Sequence, residues 1–269
     1  MIGYSQNKEK VKSMSIQYGD RVYIYIDDGR DYLLTIQEGK QFSTHRGNIL
    51  LDEIAGKNYG EYVLTTKGNK VYLLPVGIIE NIYHMRRSSQ IIYPKDLGFI
   101  LIMLDIKEGN RVIDVGLGSG SMTAALARLV GDSGRVYAYE KREDMISLAT
   151  QNLITWKLIN RVTIQKRDII IGFNENEIDA IFLDVPQPWD YLKQCWDALI
   201  GGGRVGIVSP TAGQVMEVLR GLNKLPFILV EVWENMFRQY KPDPITFRPY
   251  DRMVAHTTYM IFARKVYDV

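Results

Sequence analysis

Arg111-Val112-Ile113-Asp114-Val115-Gly116-Leu117-Gly118-Ser119-Gly120-Ser121 reads as a buried strand that breaks into a glycine turn and restarts as a helix. Val112, Ile113 and Val115 supply the apolar strand, and Gly116, Gly118 and Gly120 remove side chains where the backbone must bend or a ligand must approach. Ser121 stands where it can cap the helix that comes next. The glycine spacing excludes one ligand class. A dinucleotide fingerprint is G-x-G-x-x-G, but three residues beyond Gly118 stands Ser121, and the third glycine arrives one position early at Gly120. The turn therefore favours a smaller adenosine-like cofactor, such as S-adenosylmethionine, over a pyrophosphate.

Outward from this turn, apolar strands and periodic helices alternate to the end of the chain. Strands are expected at 111–115, 134–139, 161–165, 179–184, 203–208, 226–233 and 253–263, with helices at 120–130, 143–156, 189–199 and 211–222. Pro94 opens a further apolar helix over 95–106. Such alternation predicts an α/β fold with a parallel sheet and a ligand beyond the carboxyl ends of its first strands. No helical pattern joins the last two strands, so they are expected to pair antiparallel. Ahead of this region the texture is different. Short β-rich runs at 21–26, 32–36, 62–65 and 71–76, separated by turn signals at Asp27-Asp28-Gly29-Arg30 and Lys67-Gly68-Asn69-Lys70, have hairpin spacing. The domains are expected to span 1–88, a small β-domain, and 89–269.

With 269 residues and 46% hydrophobic content, the chain has room for one catalytic core and a smaller companion. A formal charge of +2 argues against an extended polybasic tail and leaves any nucleic-acid contact to local patches. One cysteine, Cys195, excludes an internal disulfide framework and suits a reducing cytoplasm. His45, His84 and His256 are scattered, so no metal site is expected. Neither a signal peptide nor a membrane span is visible, and a soluble, cytoplasmic protein is expected.

If the first strand opens a cofactor site, the second should end in an acid that holds ribose hydroxyls, and Glu140 stands there, about 20 residues beyond the turn. A carboxylate accepts two hydrogen bonds from a vicinal diol at once. Asp168, after the third strand, is placed to accept from an adenine amino group, whereas Asp114, inside the first strand, braces the loop. The fourth strand ends Ile181-Phe182-Leu183-Asp184, and Pro186 and Pro188 stiffen the segment after it, so the Asp184 carboxylate is held in place. Between the last two strands, Arg238, Lys241, Arg248 and Arg252 interleave with Phe237, Tyr240, Phe247 and Tyr250. Cations and flat rings suit phosphates and unstacked bases, and equally suit packing on a neighbouring subunit.

Taken in order, Gln90-Ile91-Ile92-Tyr93-Pro94-Lys95-Asp96, the Gly-x-Gly-Ser-Gly turn, Tyr139-Glu140, Asp184 with Pro188-Trp189, and Arg252-Met253-Val254-Ala255-His256-Thr257 resemble the tRNA adenine-N1 methyltransferases that modify position 58 of the T-loop. Thr44-His45-Arg46-Gly47 with the later Gly56 is a weaker echo. The resemblance implies a Rossmann-like class I methyltransferase sheet, a small N-terminal β-domain and a homotetramer acting on tRNA. It implies S-adenosylmethionine bound by Gln90, Gly116, Gly118, Ser119, Gly120, Ser121, Glu140 and Asp168. Asp184 is shared between the cofactor and the reacting adenine, where Tyr93 joins it. Archaeal relatives also methylate position 57. Ser89 stands where Thr is usual, Leu51 where His is frequent before Asp52, and Ala255 where Gly is frequent. The rival expectation keeps the cofactor but transfers the methyl group to a protein carboxylate or a small molecule.

Overall fold

The computed structural model describes residues 15–26, 30–88 and 90–267, so the N-terminal segment, Asp27-Asp28-Gly29 of the first turn signal, and Ser89 lie outside the described residues. The chain divides after His84.

The first unit is antiparallel. Strands β1 (Arg21–Ile26), β2 (Arg30–Thr35), β3 (Gln41–Thr44), β4 (Gly47–Leu50), β5 (Tyr62–Leu64) and β6 (Lys70–Pro75) precede helix α1 (Ile78–Tyr83). Four of them form a sheet in the order β2-β1-β6-β5, and β3 pairs with β4. Strand β1 shows why. Val22, Ile24 and Ile26 alternate inward with Arg21, Tyr23 and Tyr25, and they join Ile36, Ile49, Ile54, Val71 and Leu73 in one buried cluster. The β3–β4 hairpin, which the sequence reading missed, turns on Thr44 and Gly47. Thr44 Oγ1 donates to the Gly47 carbonyl at 2.7 Å.

The second unit begins with α2 (Pro94–Met103) and continues β7 (Arg111–Val115), α3 (Ser121–Val130), β8 (Arg135–Glu140), α4 (Glu143–Thr155), β9 (Val162–Lys166), β10 (Ile178–Leu183), α5 (Leu192–Ala198), β11 (Leu199–Ser209), α6 (Ala212–Leu222), β12 (Phe227–Trp233) and β13 (Tyr259–Lys265). Its seven strands lie in the order β12-β13-β11-β10-β7-β8-β9. From β11 to β9 the pairing is parallel, and β13 runs antiparallel between β11 and β12. The buried core of Ile113, Val115, Ile181, Leu183, Val205, Ile207 and Ile261 packs against Leu192 and Cys195 of α5 and Val215 and Val218 of α6. Burial pushes the Cys195 thiol well up, which makes it a packing residue.

Register decides where function sits. Val115 pairs with Tyr139 of β8 and with Leu183 of β10, so the next residues, Gly116, Glu140 and Asp184, form one row at the carboxyl edge. The chain leaves β7 toward β8 and later returns to β10 on the other side, which makes this edge the switch point of the sheet. The last strand begins later than its pattern suggested. The stretch 252–258 is irregular, and the first β13 residue is Tyr259. Among the described residues, no helix is long and apolar enough to cross a membrane.

Candidate active site

Gly116 and Gly120 of the turn each have their own reason. An added Cβ at Gly116 would stand 2.1 Å from the Asp184 carbonyl oxygen, so this glycine lets the end of β10 close onto β7. The Asp184 amide then donates to the Val115 carbonyl at 2.9 Å. Gly120 adopts φ +87° as the residue preceding α3, with its α-carbon facing Ala149 of α4. That arrangement corrects the expected cap. Ser121 is already the first helical residue and caps nothing; Gly120 holds the cap position without a side chain. The small residues of α3, including Ala124, Ala125 and Ala127, are buried, which brings the helix close to the sheet.

Glu140, Asp114 and Asp184 lie close enough here for their charges to interact. Glu140 Oε1 accepts from the amides of Lys141 at 2.8 Å and Arg142 at 3.0 Å, and Oε2 receives a long 3.4 Å bond from the Gly118 amide. Oε2 therefore retains capacity toward a ligand. Asp114 is buried inside β7, where Thr123 of α3 donates to Oδ2 and Oδ1 has no partner among the described residues. Desolvation pushes its pKa up to about 7 against the Thr123 bond, and the neighbouring charges of Asp184 and Glu140 add to the rise. Ser119 Oγ is likewise buried without a partner among the described residues. Asp168 follows β9 with both carboxylate oxygens engaged. Oδ1 accepts from the Ile170 amide at 3.0 Å and Oδ2 pairs with Lys141 Nζ at 2.7 Å, and these bonds hold its carboxyl below the usual range.

Beside this edge lies a cavity of about 430 Å³ lined by Gln90, Tyr93, Asp96, Asp184 and His256 together with apolar Ile91, Ile92, Val208 and Val254. The Asp184 carboxylate accepts no hydrogen bond from a described residue. Solvent reaches it through the cavity mouth, yet the surrounding protein atoms displace enough water to push its pKa up to about 6. Tyr93 precedes Pro94 and is extended, at φ −67° and ψ 146°. Its hydroxyl makes no hydrogen bond and its ring no aromatic or cation–π contact with a described residue, and the Gln90 amide makes no hydrogen bond with one. Asp184, Tyr93 and Gln90 thus meet in one cavity, while the glycine turn and Glu140 flank it along the sheet edge.

Sequence reasoning missed the charge pair beside the cavity. Lys95 Nζ donates to Asp96 Oδ1 at 2.8 Å, to the Asn235 carbonyl at 2.8 Å and to Thr257 Oγ1 at 2.7 Å, and Thr257 donates on to Asp96 Oδ2 at 2.6 Å. Asp96 is wholly buried. A charge pair with every partner satisfied fixes the start of α2 against the stretch before β13. The available signal was an acid in the first turn of an otherwise apolar helix.

Residues 81–244 match the family described as the tRNA methyltransferase complex GCD14 subunit, and residues 15–63 match the family described as TrmI-like N-terminal. The chain belongs to the GCD14 tRNA methyltransferase family. A Thermotoga maritima structure described as a SAM-dependent O-methyltransferase is 53% identical, covers 95% of this chain and 96% of its own, and superposes with a TM-score of 0.91. The tRNA (m1A58) methyltransferase of Aquifex aeolicus is 32% identical over 94% of this chain and 100% of its own, with a TM-score of 0.83. A Methanocaldococcus jannaschii relative named tRNA (adenine(57)-N(1)/adenine(58)-N(1))-methyltransferase is 28% identical over 88% of this chain and 92% of its own. The fold is that of the class I methyltransferases, a Rossmann-like sheet preceded by a small β-domain. For a GCD14-family methyltransferase the donor set at the sheet edge fits an S-adenosyl cofactor. Ser119 Oγ, buried without a hydrogen-bond partner among the described residues, Glu140 Oε2, with only a 3.4 Å bond, and Asp184, which accepts none from a described residue, are polar groups with unused hydrogen-bonding capacity. Among the described residues, no cluster of His, Cys, Asp or Glu is built to hold a metal ion.

Proposed function

We propose that this chain methylates N1 of adenine at position 58 of the tRNA T-loop, with the adjacent position 57 as a second acceptor to be mapped. One observation carries the reading: the Asp184 carboxylate, which accepts no hydrogen bond from a described residue, stands in the same row as the ribose-suited Glu140 and lines a cavity shared with Tyr93, whose hydroxyl is likewise unbonded among the described residues. Glu140, Gln90, Ser119 and the backbone of the glycine turn are the candidates to hold S-adenosylmethionine, with Gly116 and Gly120 shaping the cradle and Asp168 fixing its rim through Lys141. When bound, the cofactor supplies a methyl group on a sulfonium. Adenine N1 attacks with an in-plane lone pair, so the protein's main task is alignment. Asp184 accepts a hydrogen bond from the exocyclic amine, stabilises the cationic ring that methylation creates and takes the released proton. Tyr93 stacks on or orients the base.

The division into a β-domain and a transferase domain, the tRNA contact and the homotetramer belong to the same proposal. In the arm between β12 and β13, Tyr240 and Phe247 stack with centroids 5.2 Å apart, and Lys241 and Arg248 are joined by a backbone hydrogen bond. The side chains of Arg238, Lys241 and Arg252 enter no ion pair with a described residue, which supports a role on phosphates. Ile228, Leu229, Val232 and Trp233 are exposed on edge strand β12, which supports subunit contact. A cytoplasmic location accords with the tRNA substrate.

The 53% identical relative described as an O-methyltransferase favours the second reading, transfer to an oxygen acceptor. Transfer of a labelled methyl group to unmodified tRNA, bulk protein and small hydroxyl or carboxyl compounds separates the two. Label in tRNA that is lost in Asp184→Ala supports the first reading; label in the other acceptors alone overturns it.

A further inference from the structure

His256 lines the cavity it shares with Asp184 and Tyr93. Its Nδ1 lies 2.6 Å from Glu234 Oε1, and its Nε2 lies 2.9 Å from the Pro210 carbonyl oxygen. A carbonyl and a carboxylate accept hydrogen bonds, whereas a neutral imidazole has one N–H and one lone pair. Only the doubly protonated ring satisfies both partners. Those partners sit on different elements. Pro210 directly follows β11, Glu234 directly follows β12, and His256 itself lies three residues before β13. One ring therefore joins three strand ends beside the cavity.

We propose that His256 is a positioning residue for the methyl acceptor: as an imidazolium it staples the cavity wall at 254–258 to the ends of β11 and β12. The acceptor then binds well only while the staple holds, an inference that rests on the transferase function proposed above. The groups that face the ring set the balance. Glu234 favours the charge and Lys95 opposes it, Lys95 itself being paired with Asp96; the Tyr259 ring lies 4.8 Å away, and Asp184 lines the same cavity. The Pro210 bond, and then the Glu234 bond, hold the imidazole above its ordinary value, against partial burial and Lys95. The cation consequently persists to higher pH than in an unperturbed histidine. As pH rises through that elevated midpoint, the ring loses one N–H and one acceptor faces a lone pair.

The test is a titration of the His256 ring by nitrogen and carbon NMR in the full-length protein, with His256→Asn to assign the signal. It is read beside the pH dependence of KM and kcat for methyl transfer to tRNA. Both ring nitrogens should be protonated at pH 6.5, the ordinary histidine midpoint. KM for tRNA should rise about tenfold through the observed midpoint, the worth of roughly one hydrogen bond, while kcat changes less. Glu234→Gln supplies an amide that donates as well as accepts, so the midpoint should fall and the KM rise should flatten. His256→Asn should show the raised KM at all pH values. A ring that is a single neutral tautomer at pH 6.5, or a KM that ignores the midpoint, overturns the proposal. Wild-type protein that transfers no methyl group to tRNA at any pH would remove the transferase reading and the positioning role together, while the ring titration reports the staple separately.

Discussion

Substituting alanine for Gly116 tests whether the glycine turn serves mainly to seat Asp184. The new Cβ would lie 2.1 Å from the Asp184 carbonyl oxygen and 3.0 Å from its carbonyl carbon, at φ +93°. Both obstacles are backbone, so no side-chain rotation relieves them. Residue 184 must retreat by roughly 1 Å to restore van der Waals contact, and its 2.9 Å bond to Val115 lengthens with it. Backbone strain at this φ costs about 1–3 kcal/mol, and the weakened hydrogen bond costs about 1 more. A displacement of that size in an aligning group lowers turnover by about 10²-fold. Gly172 is the matched control. It has φ +85° with nothing within 4 Å of an added Cβ, so Gly172→Ala carries strain without moving Asp184. Single-turnover methyl transfer and thermal melts on both variants decide the matter. Both should melt earlier, but only Gly116→Ala should lose transfer. Wild-type turnover in Gly116→Ala, or equal losses in the two, would refute the reasoning.

Asp184→Asn should lower transfer by about 10²–10⁴-fold and abolish an acidic limb centred near pH 6, because the raised pKa leaves the wild-type carboxylate protonated below that value; a pH–rate profile reads both effects. Glu140→Gln should weaken S-adenosylmethionine by roughly 10- to 150-fold in calorimetry, the equivalent of about 1.5–3 kcal/mol for a charge-assisted hydrogen bond. For Asp114 the folded pKa, about 7, exceeds the ordinary 3.8, so its contribution to stability is present below pH 3.8 and is lost as pH rises through about 7. Asp114→Asn should remove that loss, which has a ceiling of about 4 kcal/mol, and melting curves across this range will show whether the variant's pH dependence flattens.

Strand and helix alternation was legible because strands buried on both faces carry unbroken apolar runs, as in Ile181-Phe182-Leu183, and the antiparallel pairing of β12 with β13 was implied by the missing helix between them. The row of Gly116, Glu140 and Asp184 was partly legible, since each ends a recognisable strand. Its register, and the role of Gly116 in admitting the Asp184 carbonyl, are properties of strand pairing that no local pattern encodes. The β3–β4 hairpin escaped because its four-residue strands are short and polar, with Gln41, Ser43, Thr44 and Asn48 among them. The stretch 253–258 reads as strand in the sequence because Met253 and Val254 extend the apolar texture of β13. Long-range bonds from Lys95 to Thr257 and from His256 to Pro210 hold it irregular instead. Asp168 illustrates a different limit: its place after β9 was visible, but the partnership with Lys141 depends on the spacing of adjacent strand ends.

The most direct test of the central claim is to incubate an unmodified tRNA transcript with the pure protein and S-adenosylmethionine, then map the product by nuclease digestion and mass spectrometry. The account predicts 1-methyladenosine at position 58, with any second site at 57, and none when Asp184→Ala replaces the wild type. Unmethylated tRNA, a methyl group on oxygen, or full 1-methyladenosine formation by the variant would contradict it.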